Sequence, residues 1–254
     1  MSKLIDACKQ TTINLALELI ESKANLNIQD NDGLTALIWS CYSNNTEIAL
    51  KLIENKANLG LQSSYGDTAL LWSCHNNNTK IALKLIENKA NLDLQGYHGK
   101  TVLIWSCYSN NTEIALKLIE NKANLDLQSI TGYTALIWSC CNNNIEVTLK
   151  LIENKANLDL QNVHKDTALI WSCCNNNKKI VLKLIENKAN LNLQNKAGLT
   201  ALMYSCKYNN MKIALKLIEN KANLDLQRHD GITALMLLCL KNKTEKISHL
   251  LEYL

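Results

Sequence analysis

Residues 35–62 read TALIWSCYSNNTEIALKLIENKANLGLQ, and closely related stretches follow one another along the chain. One Thr opens each stretch, 33 residues after the previous one and without insertion or deletion: Thr35, Thr68, Thr101, Thr134, Thr167, Thr200 and Thr233. A fixed period of this length is typical of repeat proteins, in which each unit packs only against its neighbours. It predicts a single domain over 1–254 made of eight units: an N-terminal capping unit at 1–33, six internal repeats over 34–231 and a C-terminal capping unit at 232–254.

Each unit contains two patterns with helical spacing. Thr35 is a favourable N-cap, and Leu37 and Cys41 lie at i and i+4, so they share one face of a short first helix. A second helix is predicted to begin near Thr46, with an apolar stripe within 48–53. The first helix has only about two turns, too few for stability in isolation. Neighbouring units must therefore cover its apolar face.

The end of each unit predicts a projecting finger. Leu59 and Leu61 alternate with polar residues, which indicates a brief extended segment leading into a turn at 63–67. The terminal units differ from the internal ones, as a capped stack requires. Asp6 takes the place of an internal Trp in the first unit, and Lys246 takes the place of an internal Ile in the last.

The composition is that of an ordered protein. Of 254 residues, 47% are hydrophobic and 20% charged, and neither a signal-peptide core nor a membrane-spanning stretch is present. We expect a soluble, cytoplasmic protein, in the host cytoplasm if its source is a virus or parasite. The net charge of +4 is unevenly spread, since 1–127 carry 11 basic and 13 acidic residues whereas 128–254 carry 16 and 10. The second half is therefore the basic half.

The motifs Thr35-Ala36-Leu37-Ile38 and Lys56-Ala57-Asn58 resemble the two characteristic segments of the ankyrin repeat, and the resemblance covers the whole chain. It implies an all-α fold, an ankyrin-repeat solenoid of eight stacked helix-turn-helix units with short β-turn fingers. It also implies a protein that binds other proteins and performs no catalysis.

Four positions depart from the family pattern, the first being the Pro that Ala36 replaces. Ile38 replaces a His that links neighbouring repeats in the family, so those hydrogen bonds are predicted to be missing and stability to depend on packing. Lys56 replaces the Gly that ends the second helix, where a left-handed residue is costlier. Asn, which tolerates that conformation best among non-Gly residues, replaces the Gly that ends the first helix in seven units. These are Asn44, Asn77, Asn110, Asn143, Asn176, Asn209 and Asn242.

Differences between the units concentrate in the finger tips and at the ends of the first helices. In the ankyrin family these two places line a concave groove that contacts partners, so the resemblance implies a binding surface there. The candidate partner-binding residues are Tyr42, Tyr65, His75, Tyr97, His98, Tyr108, Ile130, Tyr133, His164, Lys165, Lys196, Lys207, Arg228 and His229. Two alternatives stay open: finger tips vary because nothing constrains loops, and Tyr42 and Tyr108 shield the Trp residues.

The ten Cys residues are interpreted as packing residues rather than ligands. Eight follow the 33-residue period: Cys8, Cys41, Cys74, Cys107, Cys140, Cys173, Cys206 and Cys239. No ligand spacing for zinc occurs, and equivalent atoms of stacked units lie too far apart for disulfides. Cys141 and Cys174 fall one residue later and are candidates for exposed thiols. Cys74-His75 is a weak candidate for a catalytic pair, because successive helical residues point in different directions.

Two further series recur in phase. Five Trp residues, Trp39, Trp72, Trp105, Trp138 and Trp171, are predicted to be core. The second series is an apolar stripe on the second helices, and it is either additional core or an exposed patch that serves interaction or self-association. Its members are Leu50, Leu83, Leu116, Leu149, Leu182 and Leu215.

The sequence favours a non-catalytic scaffold that binds a protein partner, without cofactor, metal or membrane, and as a monomer. The alternative is an electrostatic binder of nucleic acid or of another acidic surface through the basic C-terminal half, although nucleic acid is the less favoured partner. That alternative rests on residues such as Lys178, Lys179 and Lys212 in the later repeats.

Overall fold

The structure is a computed structural model and describes residues 2–239. The described residues form two compact units that divide between Ile130 and Thr131. Helices and turns make up both units, with no strand within 2–239. The organisation of 1–254 as a single domain stays a prediction.

The helices come in antiparallel pairs, as predicted. In the first unit they are α1 (Lys3–Lys9), α2 (Ile13–Glu21), α3 (Ala36–Tyr42), α4 (Thr46–Glu54), α5 (Ala69–His75), α6 (Thr79–Glu87), α7 (Val102–Tyr108) and α8 (Thr112–Glu120), with a 3-10 turn at Tyr97–Gly99. In the second they are α9 (Ala135–Cys141), α10 (Ile145–Glu153), α11 (Ala168–Cys174), α12 (Lys178–Glu186), α13 (Ala201–Lys207), α14 (Met211–Glu219) and α15 (Ala234–Cys239). Seven pairs and the first helix of another are thus described. The predicted cap residues Asn242 and Lys246 lie outside the described residues.

A Thr caps the first helix of each internal repeat, as predicted. The Thr35 hydroxyl accepts a hydrogen bond from the amide of Ile38 at 3.1 Å, and the equivalent Thr residues do the same as far as Thr200. Leu37, Ile38 and Cys41 are then fully buried against the neighbouring repeats. A helix of seven residues is therefore held by tertiary packing rather than by its own hydrogen bonds.

The second helix of each repeat begins after an Asn. The Asn45 side chain accepts a hydrogen bond from the amide of Ile48 at 3.1 Å, and burial of Ile48, Ala49, Leu52 and Ile53 confirms the predicted stripe. This stripe faces the first helices, so each pair contributes to a single apolar layer within its unit.

The left-handed conformation expected of the Asn that ends the first helix is present, and the Lys that ends the second helix adopts it despite its side chain. Asn44 has a φ of 57° and Lys56 a φ of 64°, and all the equivalent Asn and Lys residues as far as Lys221 share this conformation. The amide of Lys56 donates to the carbonyl of Ile53, and the amide of Ala57 donates to the carbonyl of Leu52. The second helix therefore ends in a hydrogen-bonded cap without the customary Gly, although a left-handed Lys costs about 1 kcal/mol or more.

Hydrogen bonds between repeats are abundant although the family's His is absent, so they add to the cohesion that packing provides. Gln29 Nε2 donates to the carbonyl of Gln62, 33 residues later, and the same contact recurs from Gln95 to Gln128 and from Gln161 to Gln194. Side-chain amides at the ends of the first helices add a second series. These Gln and Asn side chains therefore connect successive repeats through hydrogen bonds.

A further amide contact illustrates the second series. Asn76 Nδ2 donates to the carbonyls of Cys41 and Tyr42 at 2.9 and 2.8 Å. These carbonyls lie in the last turn of α3 and have no partner within the helix. Asn175 satisfies the carbonyls of Cys140 and Cys141 in the second unit in the same way.

The periodic Cys residues are buried, as predicted, with one exception. Cys8, Cys41, Cys74, Cys107, Cys140, Cys173 and Cys206 are packed inside the repeats. Cys239 is exposed, so the prediction is wrong for this residue.

Candidate functional site

An aromatic ladder runs along the first unit. It is formed by Trp39, Tyr42, Trp72, His75, Trp105 and Tyr108, in that order. Successive rings meet edge to face, with centroids 4.7 to 5.4 Å apart. The ladder arises because the Trp and the last residue of each first helix are three positions apart and so share a helix face.

The ladder combines two series that the sequence analysis kept separate. The Trp residues are only half-buried, so their assignment to the core is wrong. Tyr42 and Tyr108 shield them, as one alternative held, yet Tyr42 is still 49% and Tyr108 45% exposed. Each Tyr therefore covers part of a Trp and remains accessible itself, because an edge-to-face contact leaves most of the Tyr ring uncovered.

The finger tips of the first unit carry exposed apolar side chains. Tyr65 is 68%, Tyr97 54% and Ile130 73% exposed, and the rings of Tyr65 and Tyr97 meet edge to face. His98 is also exposed and takes a left-handed φ of 61°, which turns its finger sharply. The Ile130 amide donates to the carbonyl of His98, so hydrogen bonding holds adjacent tips together.

Fingers and ladder enclose a cleft of about 550 Å³ in the first unit. Its lining includes Tyr65, Asp67, Trp72, His75, Tyr97, Lys100 and Trp105. The structure thus brings the predicted residues Tyr65, His75 and Tyr97 together. Sequence reasoning missed Trp72 and Trp105, although their i, i+3 spacing to His75 and Tyr108 could have revealed them.

Two oppositely charged residues of the cleft occupy equivalent positions, five residues before a Trp. The Lys100 ammonium lies over the ring of Trp105, 3.9 Å from its centroid, and 4.2 Å from that of Tyr108. Burial lowers the pKa of Lys100. The Asp67 carboxylate is half-buried and accepts a hydrogen bond from the amide of Tyr97 at 2.9 Å.

In the second unit, Tyr133 does not project as an exposed finger residue. Its ring stacks on Trp138 with centroids 4.4 Å apart and planes at 21°, and it is half-buried. Burial raises the pKa of Tyr133. The Tyr133 side chain therefore packs against the fold over part of its surface, whereas those of Tyr65 and Tyr97 are mostly exposed.

The other predicted residues of the second unit are polar and dispersed. His164, Lys165 and Lys196 are exposed finger residues. His229 is exposed and its ring lies 2.7 Å from the carbonyl oxygen of Lys196.

The basic residues of the second unit occupy more than one part of the repeat. Lys178, Lys179 and Lys212 stand at the beginnings of second helices, away from the fingers. Arg228 is half-buried and paired with Asp230. Lys207 is half-buried beside the rings of Tyr204 and Tyr208 and is partly engaged with them.

Lys183 and Lys216 lie near carboxylates one helical turn later on their own helices. Exposed pairs of this kind contribute little to stability, but they reduce the local positive charge.

The thiols are poor nucleophiles. Cys141 and Cys174 are half-buried rather than fully exposed, and burial followed by the nearby Asp166 carboxylate raises the pKa of each to about 11. Burial also raises the pKa of Cys74 to about 12, which disfavours the thiolate that a catalytic Cys74–His75 pair would need. Over 2–239, no group of three or more His, Cys, Asp or Glu side chains is placed to hold a metal ion.

The Leu stripe on the second helices is half-buried throughout the six positions. In the first unit Leu50 and Leu83 line shallow depressions whose rims carry Glu54, Lys80 and Glu87. The stripe is therefore not fully buried core, and at Leu50 and Leu83 charged residues border it.

Comparison with known proteins assigns the repeats. A family model for ankyrin repeats, three copies to a model, matches the chain at 4–96, 51–129, 84–162, 103–195 and 150–228. No curated protein sequence matches the chain. Among residues 2–239, no helix is long and apolar enough to cross a membrane.

Proposed function

Because the chain belongs to the ankyrin repeat family, whose repeats generally mediate protein–protein interaction, we propose that it is a non-catalytic scaffold that binds a protein through the aromatic cleft of its first unit. The observation that carries the proposal is the half-exposed ladder of Trp, Tyr and His beside the exposed Tyr65 and Tyr97.

Aromatic residues suit this role for a physical reason. A Tyr or Trp ring buries a large area on binding and has few torsions to restrict. The ladder is ordered before binding, because each of its four inner rings already packs against two neighbours, as Trp72 does against Tyr42 and His75. Less conformational entropy is therefore lost when a partner docks.

The position of the remaining candidate residues supports a local binding surface. His98 lines the cleft, and the Ile130 amide is hydrogen-bonded to its carbonyl. Tyr108 is the last ring of the ladder. Apart from the half-buried Tyr133, the candidates of the second unit are polar. We therefore assign the main affinity to the first unit and a secondary polar contact to the second.

The test is a selection of random peptides on the immobilised protein. Binders are titrated against the Tyr65→Ala/Tyr97→Ala double variant and against a Lys84→Ala/Lys117→Ala control, which changes two residues on α6 and α8 outside the cleft. We expect the aromatic double variant to weaken binding tenfold or more and the control to bind normally. Peptides that bind both variants equally well would refute the proposed site.

A further inference from the structure

The side chains of this cleft indicate which chemical class of ligand it binds. This inference rests on the proposed function and makes it more specific. The first unit contains three Trp residues, and a Lys of the same chain already lies over the ring of two of them. Lys9 lies 4.7 Å from the centroid of Trp39, and Lys100 lies 3.9 Å from that of Trp105. No such cation–π contact from the described residues covers Trp72, which lies between them.

Trp39 shows how this chain accommodates a cation. The Lys9 ammonium stands over the indole ring and 2.9 Å from Oδ2 of Asp30, so the ring face and a carboxylate hold it together. The negative face of an aromatic ring and a carboxylate both attract a cation, and partial burial strengthens both attractions.

Trp72 has the ring and the carboxylate but not the cation. At the position from which Lys100 covers Trp105, this repeat carries Asp67. Asp67 and Trp72 both line the cleft, and Tyr65 and Tyr97 form its outer wall. One oxygen of Asp67 accepts the Tyr97 amide, which fixes the carboxylate in place without neutralising it.

We propose that the cleft at Trp72 and Asp67 receives a lysine or arginine side chain from a peptide segment of the partner protein. The aliphatic stem of such a side chain packs against Tyr65 and Tyr97, and its charged end lies between the Trp72 ring and the Asp67 carboxylate. Lys100 lies over the rings of Trp105 and Tyr108, so the ring of Trp105, the other Trp of the cleft, already has a cation.

The peptide selection tests this inference separately from the proposed function. Peptides that need Tyr65 and Tyr97 are sequenced and titrated against Asp67→Asn, which keeps the acceptor for the Tyr97 amide and removes only the charge. Glu113→Gln, an equal change of charge at an exposed position of α8, is the matched control. We expect a Lys or Arg common to the binders, and an affinity about tenfold lower for Asp67→Asn but unchanged for Glu113→Gln.

The inference would be overturned if the peptides that need Tyr65 and Tyr97 were acidic or purely apolar, or if they bound Asp67→Asn as tightly as the wild type. The proposed function would be unaffected by either result. A selection with no Tyr-dependent binder would contradict both.

A second measurement needs no selected peptide. N-acetylarginine amide, titrated into the labelled protein, should shift the indole NMR resonance of Trp72 more than that of Trp105. N-acetylcitrulline amide, which has the same shape without the charge, should shift neither. Equal shifts from the two compounds would count against a cation seat.

Discussion

The indole Nε1 of Trp39 donates a 2.8 Å hydrogen bond to Oδ2 of Asp30, nine residues earlier in the chain. Oδ1 of the same carboxylate accepts the amide of Leu34 at 2.9 Å, and Lys9 pairs with Oδ2. A single side chain therefore joins the finger at the end of the capping unit to α1 of the same unit and to α3 of the next repeat. The next repeat has Ser63 at the position of Asp30, and the indole N–H of Trp72 is buried without a hydrogen bond.

Replacing Asp30 by Ser should destabilise the first unit. The variant imitates the next repeat, and it leaves the Trp39 indole and the Lys9 ammonium without their acceptor. We expect the free energy of unfolding in urea to fall by about 1–3 kcal/mol. Asp32→Ser, at an exposed position of the same finger, should change it by less than about 0.5 kcal/mol. Equal effects of the two substitutions would argue against the role assigned to Asp30.

The contribution of Asp30 should depend on pH. Burial alone raises the pKa of this carboxyl, but the hydrogen bonds from Lys9 and Trp39 outweigh it and hold the pKa below its ordinary value. Because the folded-state pKa is the lower one, the carboxylate stabilises the fold above the unfolded-state pKa of about 4, and this contribution is lost as pH falls through the folded-state pKa.

The difference in unfolding free energy between the wild type and Asp30→Ser should therefore be constant between pH 7 and pH 5 and smaller at pH 3. Urea titrations at these three pH values measure it. A difference that grows on acidification would have the wrong sign.

Replacing Ser63 by Asp should stabilise the protein by about 1 kcal/mol, because it supplies the missing acceptor for Trp72. The Ser63 hydroxyl accepts the amides of Tyr65 and Asp67, and one oxygen of an Asp can do the same, as Asp30 does in its own finger. Ser63→Asn is the control. The side-chain oxygen of the Asn is needed to accept the amides of Tyr65 and Asp67, and its NH2 group is a donor that cannot accept the indole N–H of Trp72. The prediction fails if Asn stabilises as much as Asp in thermal unfolding.

Replacing Lys56 by Gly should raise the stability by about 0.5–1 kcal/mol. Lys56 has a φ of 64°, which strains a residue with a side chain but not Gly. The gain is less than the full strain because Gly makes the unfolded chain more flexible. Lys84→Gly, inside α6, should instead cost about 1 kcal/mol, and urea unfolding of the two variants gives the comparison. Two losses of similar size would show that the turn at Lys56 is not strained.

Much of the fold could be predicted from the sequence because its determinants are local. Thr35 and its equivalents as far as Thr200 cap the first helices of the internal repeats. Asn45 and its equivalents as far as Asn177 cap the second helices. Each cap bonds an amide three positions later, and the apolar spacing identifies the buried faces. Asn44 illustrates the same point, because its left-handed conformation depends on its own side chain and the adjacent helix end.

The candidate site was predictable only in part. Tyr65, Tyr97 and His75 stand out because they vary between otherwise equal repeats, and the structure gathers them around one cleft. Trp72 was assigned to the core because it recurs in phase, but a recurring residue can line a groove as well as fill an interior. Its exposure depends on what the next repeat places against it.

The sequence by itself determined the repeat, the helix pairs and their caps, since each depends on residues within one or two turns of one another. Only the tertiary structure decided which contacts join positions 33 residues apart, such as the hydrogen bond from Gln29 to Gln62 or the ring contact of Tyr42 with Trp72. The physical reason is that side chains at equivalent positions meet across the stack at distances set by the packing of whole repeats. Ser63, for example, lies where the preceding finger has Asp30. The consequence of this difference, an indole N–H of Trp72 without a hydrogen bond, is visible only in the tertiary structure.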